Sequence, residues 1–238
     1  MRTAYTVFRN LYNVRKMTMK LVLASGSQRR RELLTMCGYD YEIIVSNADE
    51  TIDENDPESF VRALSFRKAK DVFDRLFAAG RRDFAVIGSD TVVAFQKDGE
   101  TKPVIIGKPK DAKDAVRILS MLSGKTHRVF TGVSVIADIP DENAAAQCSI
   151  RKKAEIQTEC SITEVTFETL SPDEITDYVN SGDPLDKAGS YGIQGPFGMF
   201  VREIRGNYFT VIGMPIPVLY KMLKKKGILP HGFYERIE

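Results

Sequence analysis

Phe84 to Phe95 reads F-A-V-I-G-S-D-T-V-V-A-F, apolar and β-branched almost throughout, with Asp90 in its middle and Thr91 beside it. Such a run implies a strand buried on both faces. A carboxylate there is costly unless it is paired or holds a metal. Asp90 is therefore a functional candidate, with a structural salt bridge as the alternative. A second candidate is the small-residue turn Ser25-Gly26-Ser27, set between the apolar Leu21 to Ala24 and a helical pattern from Gln28 to Cys37. Strand, turn and helix N-terminus together aim free backbone N–H groups and a helix dipole at the turn, which suits an anion. Arg29, Arg30 and Arg31 add cations on a first helical turn where the dipole favours carboxylates. That arrangement suits a phosphate; the alternative is an ordinary strand-turn-helix unit with a solvated basic face. A third is Asp183 to Gly195, D-P-L-D-K-A-G-S-Y-G-I-Q-G, too glycine-rich for an element interior and too charged for a core. It reads as a shaped loop whose Asp186, Lys187 and Gln194 could hold a polar ligand.

The elements that must position these groups follow from pattern. Strands are expected at Leu21–Ala24, Tyr41–Val45 and Phe84–Phe95, with helices from Gln28 to Cys37 and from Pro57 to about Ala79. An acidic loop with Asp49, Glu50, Asp53, Glu54 and Asp56 precedes the long helix, on which Arg67, Lys68 and Lys70 lie. Spacing does not say which of these three cations could reach a site. A D-G turn within Lys97 to Glu100 implies a hairpin returning to Ile105-Ile106-Gly107-Lys108-Pro109, where both neighbours constrain the backbone of Lys108. Asp111 caps a helix to Ser123. Thr126–Ala137 and Ile150–Phe167 form an antiparallel pair around a polar loop at Asp138 to Ser149, which makes the sheet mixed. Ser171-Pro172-Asp173-Glu174 is a capping box. Met199–Ile204 and Tyr208–Ile212 read as a last hairpin, and Pro217 starts a final helix to Lys226.

Composition narrows the function classes. Lys and Arg number 34 against 32 Asp and Glu, so the net charge of +2 argues against general nucleic-acid binding. Cys37, Cys148 and Cys160 form no C-x-x-C, so neither a disulfide framework nor a zinc site is expected, consistent with a reducing compartment. His127 and His231 alone leave little room for a histidine metal site. No apolar run approaches the length of a membrane span. Gly124-Lys125-Thr126 imitates the end of a P-loop, but Leu119 stands where the motif needs glycine. Residues 1–19 carry Arg2, Arg9, Arg15 and Lys16 and no acid. They are expected to be a basic extension before a single catalytic domain at 20–238. The extension reads as a disordered tail, as sequence upstream of a start near Met17 or Met19, or as a mitochondrial presequence, against which scarce serine weighs. A cytoplasmic location is the expectation.

Several stretches together resemble the Maf family of nucleoside triphosphate pyrophosphatases. They are L-A-S-G-S-Q-R-R-R-E-L-L, the G-S-D-T-V-V strand, G-K-P at Gly107 to Pro109, S-G-K-T-H-R-V-F-T-G at Ser123 to Gly132, and D-K-A-G-S-Y-G-I-Q-G at Asp186 to Gly195. The resemblance runs from about Lys20 to Lys226, in the family's order. It implies an α/β fold related to the inosine triphosphatases, with a mixed elongated sheet flanked by helices and two lobes around a deep cleft. It further implies hydrolysis of a nucleoside triphosphate to the monophosphate and pyrophosphate, assisted by Mg²⁺ or Mn²⁺.

By the same resemblance Asp90 accepts the proton of the attacking water and shares the metal with Glu50. Ser25, Arg29 and Arg30 belong to the phosphate loop, and Lys68 and Lys108 meet triphosphate oxygens. Arg30, Thr91 and Gln194 stand where the family's branches differ and look like the branch acting on dTTP and UTP. Gln194, with a donor and an acceptor, could read the O4 and N3–H edge of uracil or thymine. Gln28 departs from the proline usual in the family, which would pre-set the helix start. A homodimer is the family-like expectation. The competing readings are a nucleotide-binding regulator without turnover and a purine-specific enzyme of the same fold, the latter disfavoured by Thr91 and Gln194.

Overall fold

The computed structural model describes residues 19–96, 99–139 and 153–231. Strand β1 (Lys20–Leu23) leads to helix α1 (Gln28–Met36), then β2 (Tyr41–Ile43), the long α2 (Pro57–Ala78) and β3 (Phe84–Phe95). After β4 (Val104–Ile106) and α3 (Ala112–Leu122) come the long strands β5 (Thr126–Ile139) and β6 (Lys153–Phe167). The chain closes with α4 (Pro172–Asn180), three 3₁₀ turns, β7 (Val201–Arg205), α5 (Tyr208–Ile212) and α6 (Ile216–Lys225). The strands form one mixed sheet in the order β2-β1-β3-β5-β6-β7, parallel from β2 to β3 and antiparallel beyond, with β4 also on β3.

One edge of β3 is shared by two strands that do not meet. Residues Phe84 to Ile87 pair with β1, and Val93 to Phe95 pair with β4. Between them Ser89, Asp90 and Thr91 have a strand partner only on the β5 side. The chain leaves β1 at this gap, turns through Ser25 and enters α1, so the sheet splits open beside Asp90. A crevice at the carboxyl ends of parallel strands, where the strand order changes, is where open α/β sheets bind ligands.

Alternation along β3 sends its side chains to two layers. Phe84, Val86, Val92 and Ala94 face α2, packing with Val61, Ala69, Val72 and Phe73. Ala85 and Ile87 face the opposite layer and a cluster built from α1 and α6, while Val93 and Phe95 join a cluster built from α3 and α4. Both of these helix groups cover the face of β3 that α2 leaves free. The long helix α2 starts where expected, with Pro57 at its first position and Asp56 accepting from the Ser59 amide. It lies almost on the sheet because Gly88 and Gly132 lack side chains: a Cβ at either would come within 2.2 Å of a carbonyl oxygen of α2, that of Ser65 or Val61.

The structure corrects one expected element and refines two others. Tyr208–Ile212 is a helix, not the second strand of a hairpin. Asn207 accepts from the Phe209 amide as its cap, and Gly213 ends it at φ 108°. A five-residue apolar run is too short for periodicity to separate strand from helix, and the cap decides. The Asp183–Gly195 loop contains 3₁₀ turns at Asp183–Asp186 and Ala188–Ser190. Met19, assigned to the extension, is buried in the α1–α6 core. Residues 1–18, the D-G turn at Asp98 and most of the polar loop before β6 lie outside the described residues.

Behind the cleft the His127 ring packs edge-on to Phe167 and Tyr191 and shares a 3.0 Å hydrogen bond with the Tyr191 hydroxyl. Burial pushes its pKa down from 6.5 to about 3. The unfolded chain therefore takes up a proton below pH 6.5 that the folded chain refuses until about pH 3. Stability from this group is complete above pH 6.5 and declines across that window. We expect a loss of about 1.4 kcal/mol per pH unit from 6.5 toward 5, measured by denaturant unfolding, and a shallower slope in His127→Gln. Equal slopes in the two proteins would mean that His127 titrates alike folded and unfolded. Gly88→Ala tests the helix–sheet approach: forcing α2 outward is expected to destabilise the fold by about 1–3 kcal/mol, read as a lower melting temperature.

Candidate active site

The cleft has a volume of about 1220 Å³ and takes its lining from the Ser25 turn, α2, β3, the segment after β4 and the loop before β7. Ser25, Arg29, Arg30, Glu50, Lys68, Asp90, Thr91, Lys108, Lys187 and Gln194 all line it. Residues scattered over some 170 positions thus meet in one concavity.

Asp90 lies on the α2 face of β3, 8% exposed, opposite Gly132 in the register. Because α2 is seated on the flanking glycines, Lys68 reaches the carboxylate and donates to Oδ1 at 2.7 Å. The same ammonium lies 3.0 Å from Oε1 of Glu50, a residue of the acidic loop. Lys68 and Asp90 side chains are 12% and 11% exposed, whereas Glu50 is 64% exposed. The buried charge is paired, and Glu50 closes the group from the solvent side. Of the three helix cations, then, Lys68 is the one that turns inward. Arg67 donates to the carbonyls of Asp49 and Thr51, which holds the acidic loop against α2, and Lys70 pairs with Asp74.

Thr91 projects to the other face, toward Arg30. The Arg30 guanidinium donates from Nε to the Gly213 carbonyl at 2.8 Å, from Nη1 to Ser25 Oγ at 3.1 Å and from Nη2 to Thr91 Oγ1 at 3.3 Å. Burial lowers its pKa while the nearby Asp90 charge raises it. These bonds tie the small-residue turn, β3 and the end of α5 together, so Arg30 acts on the turn from behind. Ser25 Oγ also accepts from the Ser27 amide at 3.2 Å, which shapes the turn itself. Ser27 starts α1 without a side-chain cap bond, and the first turn of α1 carries no acid. Ser27, Arg29 and Arg30 at its N-terminal end line the cleft, where a helix dipole favours negative charge.

The opposite wall is the 3₁₀ loop. Arg29 meets Asp186 at 3.4 Å, joining the phosphate-type turn to this loop. Burial raises the Asp186 pKa, but the Lys187 hydrogen bond and the Lys187 and Arg29 charges outweigh it, leaving the carboxyl below its usual value. Lys187 donates to Asp186 Oδ1 at 2.7 Å and to the Asp183 carbonyl at 2.5 Å. Gln194 and Lys108 are exposed at the rim. Sequence reasoning missed the anchors behind this wall, Tyr178 and Asp183. Nothing in the spacing of an amphipathic helix marks one tyrosine hydroxyl as a hydrogen-bond partner of a loop 14 residues away.

The fork geometry of Arg30 yields a prediction. A lysine there can satisfy one of its acceptors but not three on separate elements. Arg30→Lys is expected to destabilise the fold by about 1–3 kcal/mol in thermal or denaturant unfolding. An unchanged stability would mean that these bonds do not hold the turn.

A family model described as "Maf-like protein" matches residues 20–226. A dTTP/UTP pyrophosphatase of Agathobacter rectalis is 39% identical over an alignment of 217 residues that covers 88% of this chain and 98% of that protein. Another from Bacillus thuringiensis subsp. konkukian is 42% identical over 210 residues, 88% of this chain and 96% of that protein. Among solved structures, the Staphylococcus aureus Ham1 protein aligns with a TM-score of 0.43 and 15% identity, covering 87% of this chain and 99% of that one. With a cleft built on the matched motifs and relatives alike over nearly their whole length, this chain belongs to the Maf family.

Proposed function

We propose that the chain hydrolyses dTTP and UTP to the monophosphate and pyrophosphate, with Asp90 as the base for the attacking water. The observation that carries this reading is the Asp90 carboxylate at the sheet split, buried and paired with Lys68, between a cationic helix N-terminus and the Gln194 rim. Relatives bearing the name dTTP/UTP pyrophosphatase at 39% and 42% identity support the substrate class.

In this reading the triphosphate lies along the N-terminus of α1. Backbone N–H groups of the turn, Ser25 Oγ and Arg29 receive phosphate oxygens, Arg29 exchanging Asp186 for phosphate. Lys68 and Lys108 add point charges from the floor and rim. Cleavage between the α and β phosphates develops charge on phosphate oxygens, so positioned cations and amides supply most of the stabilisation. Asp90 accepts the water proton as the new bond to the α phosphorus forms, and pyrophosphate leaves carrying the charge these cations neutralise. Gln194 at the rim discriminates the base through its donor and acceptor.

A divalent ion fits this donor set. Glu50 and Asp90 converge on one point, now spanned by Lys68 Nζ at 3.0 and 2.7 Å. Mg²⁺ is commonly held by one or two carboxylates together with substrate phosphates. Among the described residues no three His, Cys, Asp or Glu side chains could hold a metal alone. Glu50 and Asp90 would therefore hold the ion jointly with the nucleotide. When bound it would neutralise phosphate charge and lower the pKa of a coordinated water.

The test is pyrophosphate release from a panel of nucleoside triphosphates with Mg²⁺ or Mn²⁺. We expect turnover of UTP and dTTP that stops when the ion is chelated and falls by about 10²–10⁴-fold in Asp90→Asn. Gln194→Ala should lose preference for UTP over CTP, and an unchanged preference would remove Gln194 from base reading. Nucleotide binding without turnover in the wild type would favour the regulator instead.

A further inference from the structure

The loop that carries Lys187 and Gln194 is held by a relay that starts at two residues with no part in the proposed reaction, Tyr178 and Asp183. The Gly192 amide donates to the Tyr178 hydroxyl at 3.0 Å, and that hydroxyl donates to Asp183 Oδ2 at 2.5 Å. The other carboxylate oxygen of Asp183 lies 3.0 Å from Lys187 Nζ, and Lys187 reaches Asp186, which meets Arg29. An unbroken chain of hydrogen bonds and ion pairs thus runs from the backbone two residues before Gln194 to a cation at the phosphate end of the cleft. Tyr178 is 6% exposed, sits on α4 outside the cleft lining, and packs against Phe197 at 4.8 Å. Its ring is fixed by the core, so its hydroxyl is a rigid post. Gly192 lies close against this arm: a Cβ there would lie 2.7 Å from Lys187 Cε and 3.1 Å from Asp183 Oδ2, so a side chain would displace the lysine arm.

We propose that Tyr178 and Asp183 are positioning residues that set the reach of Gln194 and Lys187 into the cleft, coupling base recognition to the phosphate end. The two hold opposite sides of one loop. Tyr178 pins the backbone from which Gln194 projects, and Asp183 holds the Lys187 ammonium away from the deep carboxylates. Neither touches the nucleotide. The inference rests on the nucleotide reading of the cleft for its kinetic consequence, whereas its structural content stands on the geometry alone.

Tyr178→Phe removes one hydroxyl and leaves the ring in the core, and Asp183→Asn removes one charge at constant shape. Two readouts separate the claims. The first is amide hydrogen exchange of the native protein, read for peptides covering residues 190–195. Tyr178→Phe is expected to accelerate exchange there by about tenfold, with exchange in β3 and β5 unchanged. The second is steady-state kinetics with UTP and CTP. KM for UTP should rise about tenfold in either variant with kcat little changed, and the UTP over CTP preference should shrink, as expected when a hydrogen bond holding a binding group is lost. A merely structural role would lower the melting temperature without moving that preference. Unchanged exchange at 190–195 in Tyr178→Phe would overturn the proposal, as would loop acceleration with the wild-type KM and preference in both variants. Loop acceleration in a protein whose wild type turns over no nucleotide would overturn the functional reading while supporting the relay.

Discussion

The close seating of α2 on Gly88 and Gly132 is the constraint from which the rest of the site follows. Asp90 lies two residues from Gly88 on β3 and directly opposite Gly132 on β5, in a strand whose residues are almost all buried, and an unpaired charge in that position would be strongly destabilising. Lys68 can neutralise it because the helix backbone stands so near the sheet. Any side chain at the flanking positions would lift the helix and separate the ammonium from the carboxylate. The pair is an unfavourable way to fill a core, since well-packed apolar residues of similar volume are generally as stable or more so. A pair that does little for stability supports the catalytic role proposed for Asp90.

A second feature gives that charge a use. The β1 and β4 strands occupy different ends of one edge of β3, and the segment Ser89 to Thr91 is open between them. The turn leaving β1 fills part of this opening with small residues and amides. Arg30 braces the turn from behind, while Arg29 faces across to Asp186. Successive β3 residues then serve opposite sides: Asp90 meets Lys68 on the α2 side, and Thr91 meets Arg30 on the other. A period of two along one strand thus joins the Asp90 carboxylate to the brace of the small-residue turn.

Much of this was legible in the residues. The F-A-V-I-G-S-D-T run announced a doubly buried strand with a misplaced charge, and Pro57 and the caps at Asp111 and Ser171 marked helix starts that the fold keeps. The S-G-S turn before a basic helix, singled out as a candidate anion site, lines the cleft. Other features depend on distances between segments remote in sequence, which no local pattern encodes. Choosing Lys68 over Arg67 and Lys70 requires knowing that α2 crosses β3 at Gly88. Arg30 and Arg29 are neighbours in one basic run, yet one is spent on three protein acceptors and the other spans the cleft. The helix at Tyr208–Ile212 was misread because its five residues satisfy either period. The Tyr178–Asp183 relay was invisible because its members look like an ordinary core tyrosine and a turn aspartate.

The central claim is that the Lys68–Asp90 pair exists for catalysis and not for the fold. The double variant Asp90→Asn/Lys68→Met tests it most directly, because it removes both charges of the pair at nearly constant volume, leaving Glu50, which water can solvate, and Arg30, which keeps its three hydrogen bonds. The account predicts a melting temperature equal to or above that of the wild type, with pyrophosphate release abolished. A double variant that melts well below the wild type while still releasing pyrophosphate would contradict it, and would make the pair a structural salt bridge.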